Sequence, residues 1–116
     1  MKHFMRLQNR YFVMISDCRK TLELRLFDEK RRQIKHGDEI EFLNIDTGDR
    51  LLTVAENIIT ADTFDDLCSL IDIKQTGFSD KTILLREIKN IYPETKIRRY
   101  GAAAIKIKIV DNRNNS

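Results

Sequence analysis

The chain has few of the residues that build metal sites and disulfides. Cysteine occurs only at Cys18 and Cys68, far apart and in no Cys-x-x-Cys or Cys/His spacing that would indicate zinc. His3 and His36 are the only histidines, so a three-histidine metal site is excluded. We interpret the two thiols as idle side chains in a reducing compartment. Nothing in the sequence indicates a metal or an organic cofactor.

Long apolar segments are also absent from the sequence. No stretch approaches the roughly 18 apolar residues that span a bilayer, and residues 1–10 lack the apolar centre of a signal peptide. Hydrophobic residues make up 41% and charged residues 34% of the 116-residue chain, a balance typical of a folded domain with a charged surface. We expect a cytoplasmic protein with one domain over residues 1–110 and a flexible tail over residues 111–116.

The net charge of +3 hides an uneven distribution along the chain. Residues 1–36 hold ten basic and four acidic side chains, residues 37–72 hold one and ten, and residues 73–116 hold ten and four. If the two basic stretches meet in the fold, they form a positive face that attracts phosphates over about a Debye length. The acidic stretch could instead be the working surface of a protein–protein adaptor.

Apolar periodicity predicts an α+β domain. Alternation of apolar and polar residues predicts strands at residues 3–7, 21–26, 39–42, 50–59 and 102–110, with a hairpin turn at residues 46–49. Helical spacing predicts helices over residues 10–15, from Thr63 to Ile71, and from an N-cap at Ser79 to Tyr92. Charged residues 28–36 and the basic residues 96–99 are predicted as connections. The order β-α-β-β-β-α-α-β indicates a curved sheet or an open barrel.

One polar motif stands at the start of the second predicted strand. In Arg19-Lys20-Thr21-x-Glu23-x-Arg25, the leucines between the polar residues fill the core, so Thr21, Glu23 and Arg25 project from the other face. That face meets either solvent or a cleft. The first alternative is a solvated strand face with a weak ion pair, and the second is a site for a small ligand or a phosphate.

This motif resembles the signature of ASCH domains, a family of PUA-like barrels that typically reads Gly-Lys-Lys-Thr-x-Glu-x-Arg. The Gly37-Asp38 strand start, Ile91-Tyr92-Pro93 and Arg99-Tyr100-Gly101 are similar to other parts of the family pattern. Cys18 departs from it, since glycine is usual there and tolerates a left-handed turn better. The resemblance implies an open β-barrel of five to six strands with two to three flanking helices, a cleft beside the motif, and RNA binding.

One branch of the family is similar to amidohydrolases of N4-acetylcytidine, which use a lysine, a threonine and a glutamate. Lys20 matches the lysine, but Glu23 stands at the threonine position, and the glutamate position falls near Gly77. If the chain is a hydrolase, Lys20 and Glu23 would be its catalytic residues. The branch's full set is missing, so we favour binding without catalysis.

Two further groups of basic residues are candidates for contact with phosphates. Lys30, Arg31, Arg32 and Lys35 could neutralise successive phosphates, or could simply form a solvated loop. Arg98 and Arg99 adjoin Tyr100, whose ring could stack on a base or pack in the barrel. Tyr11 and Phe12 are interpreted as core residues.

These observations give a working hypothesis of an RNA- or nucleotide-binding domain. The cleft would be lined by the motif residues, with Lys20 and the rim arginines on phosphates and Glu23 accepting a hydrogen bond from a base or ribose. The predicted ligand-binding residues are Lys20, Thr21, Glu23, Arg25, Lys30, Arg31, Arg32, Arg98, Arg99 and Tyr100.

Overall fold

The computed structural model describes residues 1–110 and is built round one five-stranded sheet with the order β1-β3-β4-β5-β2. Strand β1 is parallel to β3, and the other neighbouring strands are antiparallel. All five predicted strands are confirmed, as is the hairpin between β3 and β4. The strands are β1 (Lys2–Leu7), β2 (Leu22–Leu26), β3 (Glu39–Asn44), β4 (Arg50–Ala61) and β5 (Ala102–Ile109).

Five α-helices and one 3-10 turn connect these strands within residues 1–110. Because α1 follows β1 and α3 to α5 follow β4, most helical residues lie in two connections of the sheet. The helices are α1 (Asn9–Ser16), α2 (Glu29–Arg32), α3 (Phe64–Cys68), α4 (Lys81–Ile91) and α5 (Glu94–Tyr100), and the 3-10 turn is Ile73–Thr76.

The sheet curls into an open barrel along the long strand β4. Its first half pairs with β3 and its second half with β5, with a bulge between Ala55 and Asn57. A bulge bends a strand and increases its twist. The two edge strands, β1 and β2, are thereby brought close enough for the Arg25 Nη2 to donate to the Arg6 carbonyl oxygen at 2.9 Å. The predicted curved sheet is confirmed.

Apolar side chains pack in two clusters, one on each side of the curled sheet. The first joins α1 to β1, β3 and β5 and contains Phe42 and Ile15, both fully buried. The second lies between β2 and helices α3 and α4 and contains Leu67 and Leu84. As a result, β2 is covered on both faces, which holds its polar side chains away from bulk water.

The structure corrects several predicted helix boundaries. The N-cap of α4 is Asp80 rather than Ser79, since its Oδ1 accepts from the Ile83 N–H at 3.0 Å. Helix α3 ends at Cys68 and does not reach Ile71. Helices α2 and α5 occupy segments predicted as connections. Asp28 caps α2, while α5 begins directly after Pro93, whose fixed φ suits a helix start.

No helix within residues 1–110 combines the length and the apolar character needed to cross a membrane. The predicted tail, residues 111–116, lies outside the described residues.

Candidate functional site

A cleft of about 190 Å³ opens at the seam between the edge strands β1 and β2. Helices α1 and α4 form its walls, and the polar motif of β2 forms its floor. The volume is below the roughly 300–1,000 Å³ of sites for drug-sized ligands, so the cleft suits a small group. Its lining includes Arg6, Leu7, Gln8, Tyr11, Lys20, Glu23, Leu24, Arg25, Phe78, Leu84, Glu87, Ile88, Ile91 and Tyr92.

The Glu23 carboxylate is held at the floor of the cleft between two cations. Its Oε1 lies 3.2 Å from the Lys20 Nζ, and its Oε2 lies 2.7 Å from the Arg25 Nε. The side chains of Glu23 and Lys20 are about 95% buried, and Arg25 is 14% exposed. This arrangement fixes the orientation of the carboxylate. Each of its oxygens uses one lone pair for its cation and keeps a second that can accept a hydrogen bond.

The pKa of Glu23 lies below its ordinary value because two opposing effects do not cancel. Burial raises the pKa, but the charges of Arg25 and Lys20, together with their hydrogen bonds, lower it by a larger amount. The carboxylate is therefore ionised at neutral pH. An ionised carboxylate is a pure hydrogen-bond acceptor, so the floor of the cleft selects for N–H or O–H groups on a ligand.

The Lys20 ammonium is surrounded by protein acceptors. Besides Glu23, its Nζ donates to the Leu22 carbonyl oxygen at 2.9 Å and to the Thr76 carbonyl oxygen at 3.1 Å. The Tyr11 ring lies over it, with 5.9 Å between Nζ and the ring centroid. Three acceptors match the three N–H donors of an ammonium. In this structure Lys20 thus ties β2 to the 3-10 turn and orients Glu23.

Arg25 links the floor of the cleft to the opposite edge strand. Its Nε binds Glu23, and its Nη2 binds the Arg6 carbonyl oxygen across the seam. Burial lowers the pKa of Arg25, but the neighbouring Glu23 carboxylate more than compensates, so the guanidinium stays charged. Burial also raises the pKa of Tyr92 in the cleft wall, against the opposing charge of Arg25.

The wall of the cleft contains an ionic cluster that the sequence did not reveal. The Glu87 Oε2 lies 2.6 Å from the Arg10 Nη2, which also lies 2.6 Å from the Tyr11 hydroxyl. Tyr11 contacts the ring of Phe78 with 6.2 Å between centroids. Burial raises the pKa of Tyr11, although the charge of Arg10 opposes this. Tyr11 therefore packs against the core and also lines the cleft, whereas Phe12 lies in the core as predicted.

Helix spacing is the signal that could have identified Glu87. Leu84, Glu87, Ile88 and Ile91 recur at the i, i+3, i+4 and i+7 positions of one helical face, and all four line the cleft. A carboxylate within an apolar stripe is unusual, because burial of a charge requires a partner. The partner, Arg10, comes from a distant part of the chain, so the two residues could not be paired from the sequence alone.

The other predicted site residues of the first basic stretch are distributed over three places. Lys30 and Arg31 line a groove that adjoins the cleft. Arg32 stacks over the Phe27 ring, 4.8 Å from its centroid, and its Nε donates to the Phe27 carbonyl oxygen. Thr21 lines a separate cavity beside β5 and not the cleft.

The predicted cluster on α5 lies outside both the cleft and the groove. The Arg99 guanidinium sits 5.2 Å from the centroid of the Tyr100 ring, and Tyr100 packs against the second apolar cluster. Arg98 is exposed on the same helix. The N–H of Phe27 donates to the Gly101 carbonyl oxygen at 3.0 Å, so the end of α5 adjoins the basic segment around α2. The two basic stretches thus meet beside β2.

Within residues 1–110, no group of three or more histidine, cysteine, aspartate or glutamate side chains is arranged to hold a metal ion. The two cysteines are free; Cys18 is exposed and Cys68 is buried.

A comparison with protein families matches residues 5–111 to the ASCH domain model, which covers nearly the whole chain. The chain belongs to the ASCH domain family. No curated protein matches it. Among solved structures, it resembles hypothetical protein PH0355 with a TM-score of 0.84 and 32% identity, over 95% of this chain and 100% of that one.

Two further structures share the ASCH fold. Protein PF0455 from Pyrococcus furiosus, solved by NMR, matches with a TM-score of 0.76 and 30% identity, over 96% of this chain and 99% of that one. The ASCH protein from Zymomonas mobilis matches with a TM-score of 0.64 and 15% identity, over 90% of this chain and 65% of that one. The last similarity concerns the fold alone.

Cys18, which departs from the ASCH pattern, takes the backbone conformation for which glycine is suited. Its φ is +63°, and it is the one non-glycine residue with positive φ among residues 1–110. It follows the end of α1, where its N–H donates to the Ile15 carbonyl oxygen at 2.9 Å. The N–H groups of Arg19 and Lys20 both donate to the Met14 carbonyl oxygen. These hydrogen bonds fix the backbone from which the Lys20 side chain extends to the cleft. The loop therefore accommodates Cys18 in the left-handed conformation.

Proposed function

We propose that this ASCH domain binds RNA or a nucleotide-like ligand, with a base inserted into the cleft against Glu23. ASCH domains are commonly described as RNA-binding, which supports a ligand of this class. The observation that carries the proposal is the fixed, ionised Glu23 carboxylate at the floor of a small cleft. A base or ribose that presents N–H or O–H groups would supply the donors that this carboxylate can accept.

The walls of the cleft suit a flat, partly apolar group. Tyr11, Phe78 and Tyr92 are half-buried there, and stacking of a base on an aromatic side chain contributes about 1–3 kcal/mol. Tyr92 is itself supported from behind, since its ring is parallel to that of Phe64 with 6.0 Å between centroids. Aromatic walls and a polar floor together favour a nucleobase over a purely apolar ligand.

Within this proposal the residues have separate roles. Lys20 holds Glu23 in place, because its three donors are already matched by Glu23 and two carbonyl oxygens. Contacts with phosphates then fall to arginines, whose five donors leave N–H groups available. Of the two predicted rim arginines on α2, Arg31 lines the groove beside the cleft, whereas Arg32 packs on the Phe27 ring.

Binding is tested by fluorescence anisotropy with labelled single-stranded and structured RNAs, at salt concentrations of about 50 and 200 mM. Tyr11→Leu removes a stacking surface and leaves the ion pairs of Glu23 intact, so we expect affinity to fall by about tenfold. Tyr100→Leu changes an aromatic residue of similar exposure outside the cleft and is the comparison. Affinity within about twofold of wild type supports the cleft, whereas a tenfold loss would support stacking on Tyr100 instead.

A second variant probes the floor of the cleft. Glu23→Gln keeps the shape of the side chain but removes its charge, and should weaken binding by about tenfold or more, since a charged acceptor is lost. The control Glu56→Gln alters an exposed carboxylate outside the cleft. Circular dichroism establishes that each variant is folded. If the wild type binds no RNA at low salt and no nucleoside or nucleotide, the proposal fails, and a protein–protein adaptor that uses residues 37–72 becomes the better hypothesis.

Hydrolysis of an acylated nucleoside such as N4-acetylcytidine is the second candidate. The contact between Lys20 and Glu23 in a buried cleft favours it, because Glu23 could accept a proton from an attacking water. Lys20 could stabilise charge on the acyl oxygen if it released one of its two carbonyl contacts. Chromatography of N4-acetylcytidine incubated with the protein would show cytidine and acetate. Turnover that Glu23→Gln abolishes would establish the enzyme; no turnover at high protein concentration would exclude this substrate.

A further inference from the structure

A second depression, of about 490 Å³, lies next to the cleft and shares two residues with it. Arg6 and Arg25 line both cavities, so the cavities adjoin and one ligand could extend from the first into the second. We name this second depression the basic groove. Its other lining residues are Phe4, Met5, Lys30, Arg31, Glu41, Leu43 and Arg50.

Positive charge dominates the basic groove. Arginine and lysine supply five of its lining side chains, and Glu41 is the one carboxylate among them. Glu41 is already neutralised, since it lies 3.1 Å from the Lys2 Nζ and 2.7 Å from the Arg50 Nη1. Arg6 and Lys30 take part in no ion pair with any residue of the described range 1–110. Their charges are therefore available to an anion.

Arg31, which lines the basic groove, is only partly satisfied by the protein. Its Nη1 pairs with Asp28 at 3.1 Å, but its Nε is buried and has no hydrogen-bond partner within residues 1–110. Buried donors without an acceptor are rare, because the lost hydrogen bonds to water are not replaced. The protein therefore satisfies the Arg31 guanidinium only in part, and this side chain lines the groove.

We propose that the basic groove binds the phosphate of a ligand whose base occupies the cleft. This inference rests on the proposed function and narrows it: the ligand is phosphorylated, and a free nucleoside fills only half of the site. Arg25 joins the two halves, since it touches Glu23 in the cleft and also lines the groove. The phosphate is either the monoester of a mononucleotide or the diester of an RNA chain.

Calorimetric titration with the four nucleosides and their 3′- and 5′-monophosphates tests this inference. Arg6→Gln/Lys30→Gln removes two charges from the groove but keeps the Arg6 carbonyl oxygen that Arg25 needs. We expect the affinity for a monophosphate to fall by about tenfold or more, beyond any change for its nucleoside, since Arg6 also lines the cleft. Lys30→Gln alone changes a residue of the groove that does not line the cleft, and should lower the monophosphate affinity with the nucleoside affinity unchanged. Lys89→Gln/Lys96→Gln removes two charges from exposed positions outside the groove and should affect neither ligand.

The salt dependence of RNA binding distinguishes the two sources of phosphate. If diesters occupy the groove, the plot of log K against log salt for a short single strand should become shallower in Arg6→Gln/Lys30→Gln. The magnitude of its negative slope should fall by about 1.4, at about 0.7 for each lost phosphate contact. If only a mononucleotide fits, the slope stays constant while the monophosphate affinity falls.

Two results would overturn the inference in different ways. In the first, nucleosides bind as tightly as their monophosphates, and Tyr11→Leu still lowers the affinity. The phosphate site in the groove would then be rejected, and the proposed function of the cleft would stand. Failure of every nucleoside, nucleotide and RNA to bind the wild type would overturn both.

Discussion

Replacement of Lys20 by methionine should destabilise the protein strongly, because this lysine holds a buried network together. The change removes the ion pair with Glu23 and takes the donor from the carbonyl oxygens of Leu22 and Thr76. Loss of one partner of a buried ion pair costs about 3–5 kcal/mol, and a buried acceptor without a donor costs about 1–3 kcal/mol. These costs overlap, so we expect a decrease of about 3–5 kcal/mol in the free energy of unfolding.

Urea denaturation followed by circular dichroism measures this change. With a slope of about 1–3 kcal/mol per molar urea, the midpoint should fall by about 1 M or more. Because whole domains are stable by only about 5–15 kcal/mol, part of the variant could be unfolded in water. Lys108→Met, at an exposed position of β5, is the control and should change stability by less than about 0.5 kcal/mol.

A double-mutant cycle separates the ion pair from the other contacts of Lys20. The coupling between Lys20→Met and Glu23→Gln should reach about 1–3 kcal/mol, since each change alone leaves the other charge buried. A decrease below about 1 kcal/mol for Lys20→Met, or a coupling near zero, would refute the view that Lys20 orients Glu23. Lys20 would then be available to contact a ligand directly.

Three further variants test the surroundings of the cleft. Gly77→Ala should lower stability by about 1–2 kcal/mol in thermal unfolding, because Gly77 has a φ of +88° and its new Cβ would lie 2.7 Å from the Met14 Sδ. Cys18→Gly should raise stability by about 0.5–1 kcal/mol, because it relieves the strain of a side chain at φ +63°. This gain should exceed the cost of the greater conformational entropy of the unfolded chain with glycine, and a decrease in stability would contradict it. Asp38→Asn should be less stable than wild type at pH 7, with the difference lost as the pH falls.

The pH range of the last effect follows from the pKa of Asp38. Hydrogen bonds from His3 and from the Lys35 N–H, with the nearby N-terminal amine, lower this pKa from 3.8 to about 2. A carboxyl whose pKa is lower in the folded protein stabilises the fold fully at pH values above its pKa in the unfolded chain. It loses that contribution as the pH falls through its pKa in the folded protein. Urea midpoints of wild type and variant should therefore converge between pH 4 and about 2. A gap that stays constant over this range would contradict the assignment.

Local patterns were sufficient to predict the strands and the polar motif. Period-two alternation identified β2 and β5, and the same alternation placed Glu23 and Arg25 on one face of β2. The short helices α2 and α5 were missed because helices of this length are marginal on their own. They form here through the Asp28 cap and through packing against β2, which periodicity does not report.

Contacts between distant parts of the chain account for what the sequence did not reveal about the cleft. Tyr11 had the pattern of a core residue, and it does pack on the core, so its second role could be seen only with α4 in place. Ser79 and Asp80 are both good N-cap residues, and the choice between them depends on how α4 must turn to bury Leu84. The wall of the site is thus a product of tertiary packing.

The position of the cleft follows from the way the barrel fails to close. Backbone hydrogen bonds join every neighbouring pair of strands in the sheet, but between β1 and β2 a side chain, Arg25, makes the contact. A side chain that bridges a seam leaves space beside it, and here that space holds an ionised carboxylate. Because the same arginine closes the barrel, orients Glu23 and borders the basic groove, its replacement would change fold and binding together. Substitutions at Tyr11, Arg6 and Lys30 therefore separate binding from folding, because the side chains of these residues line the cavities without joining the strands.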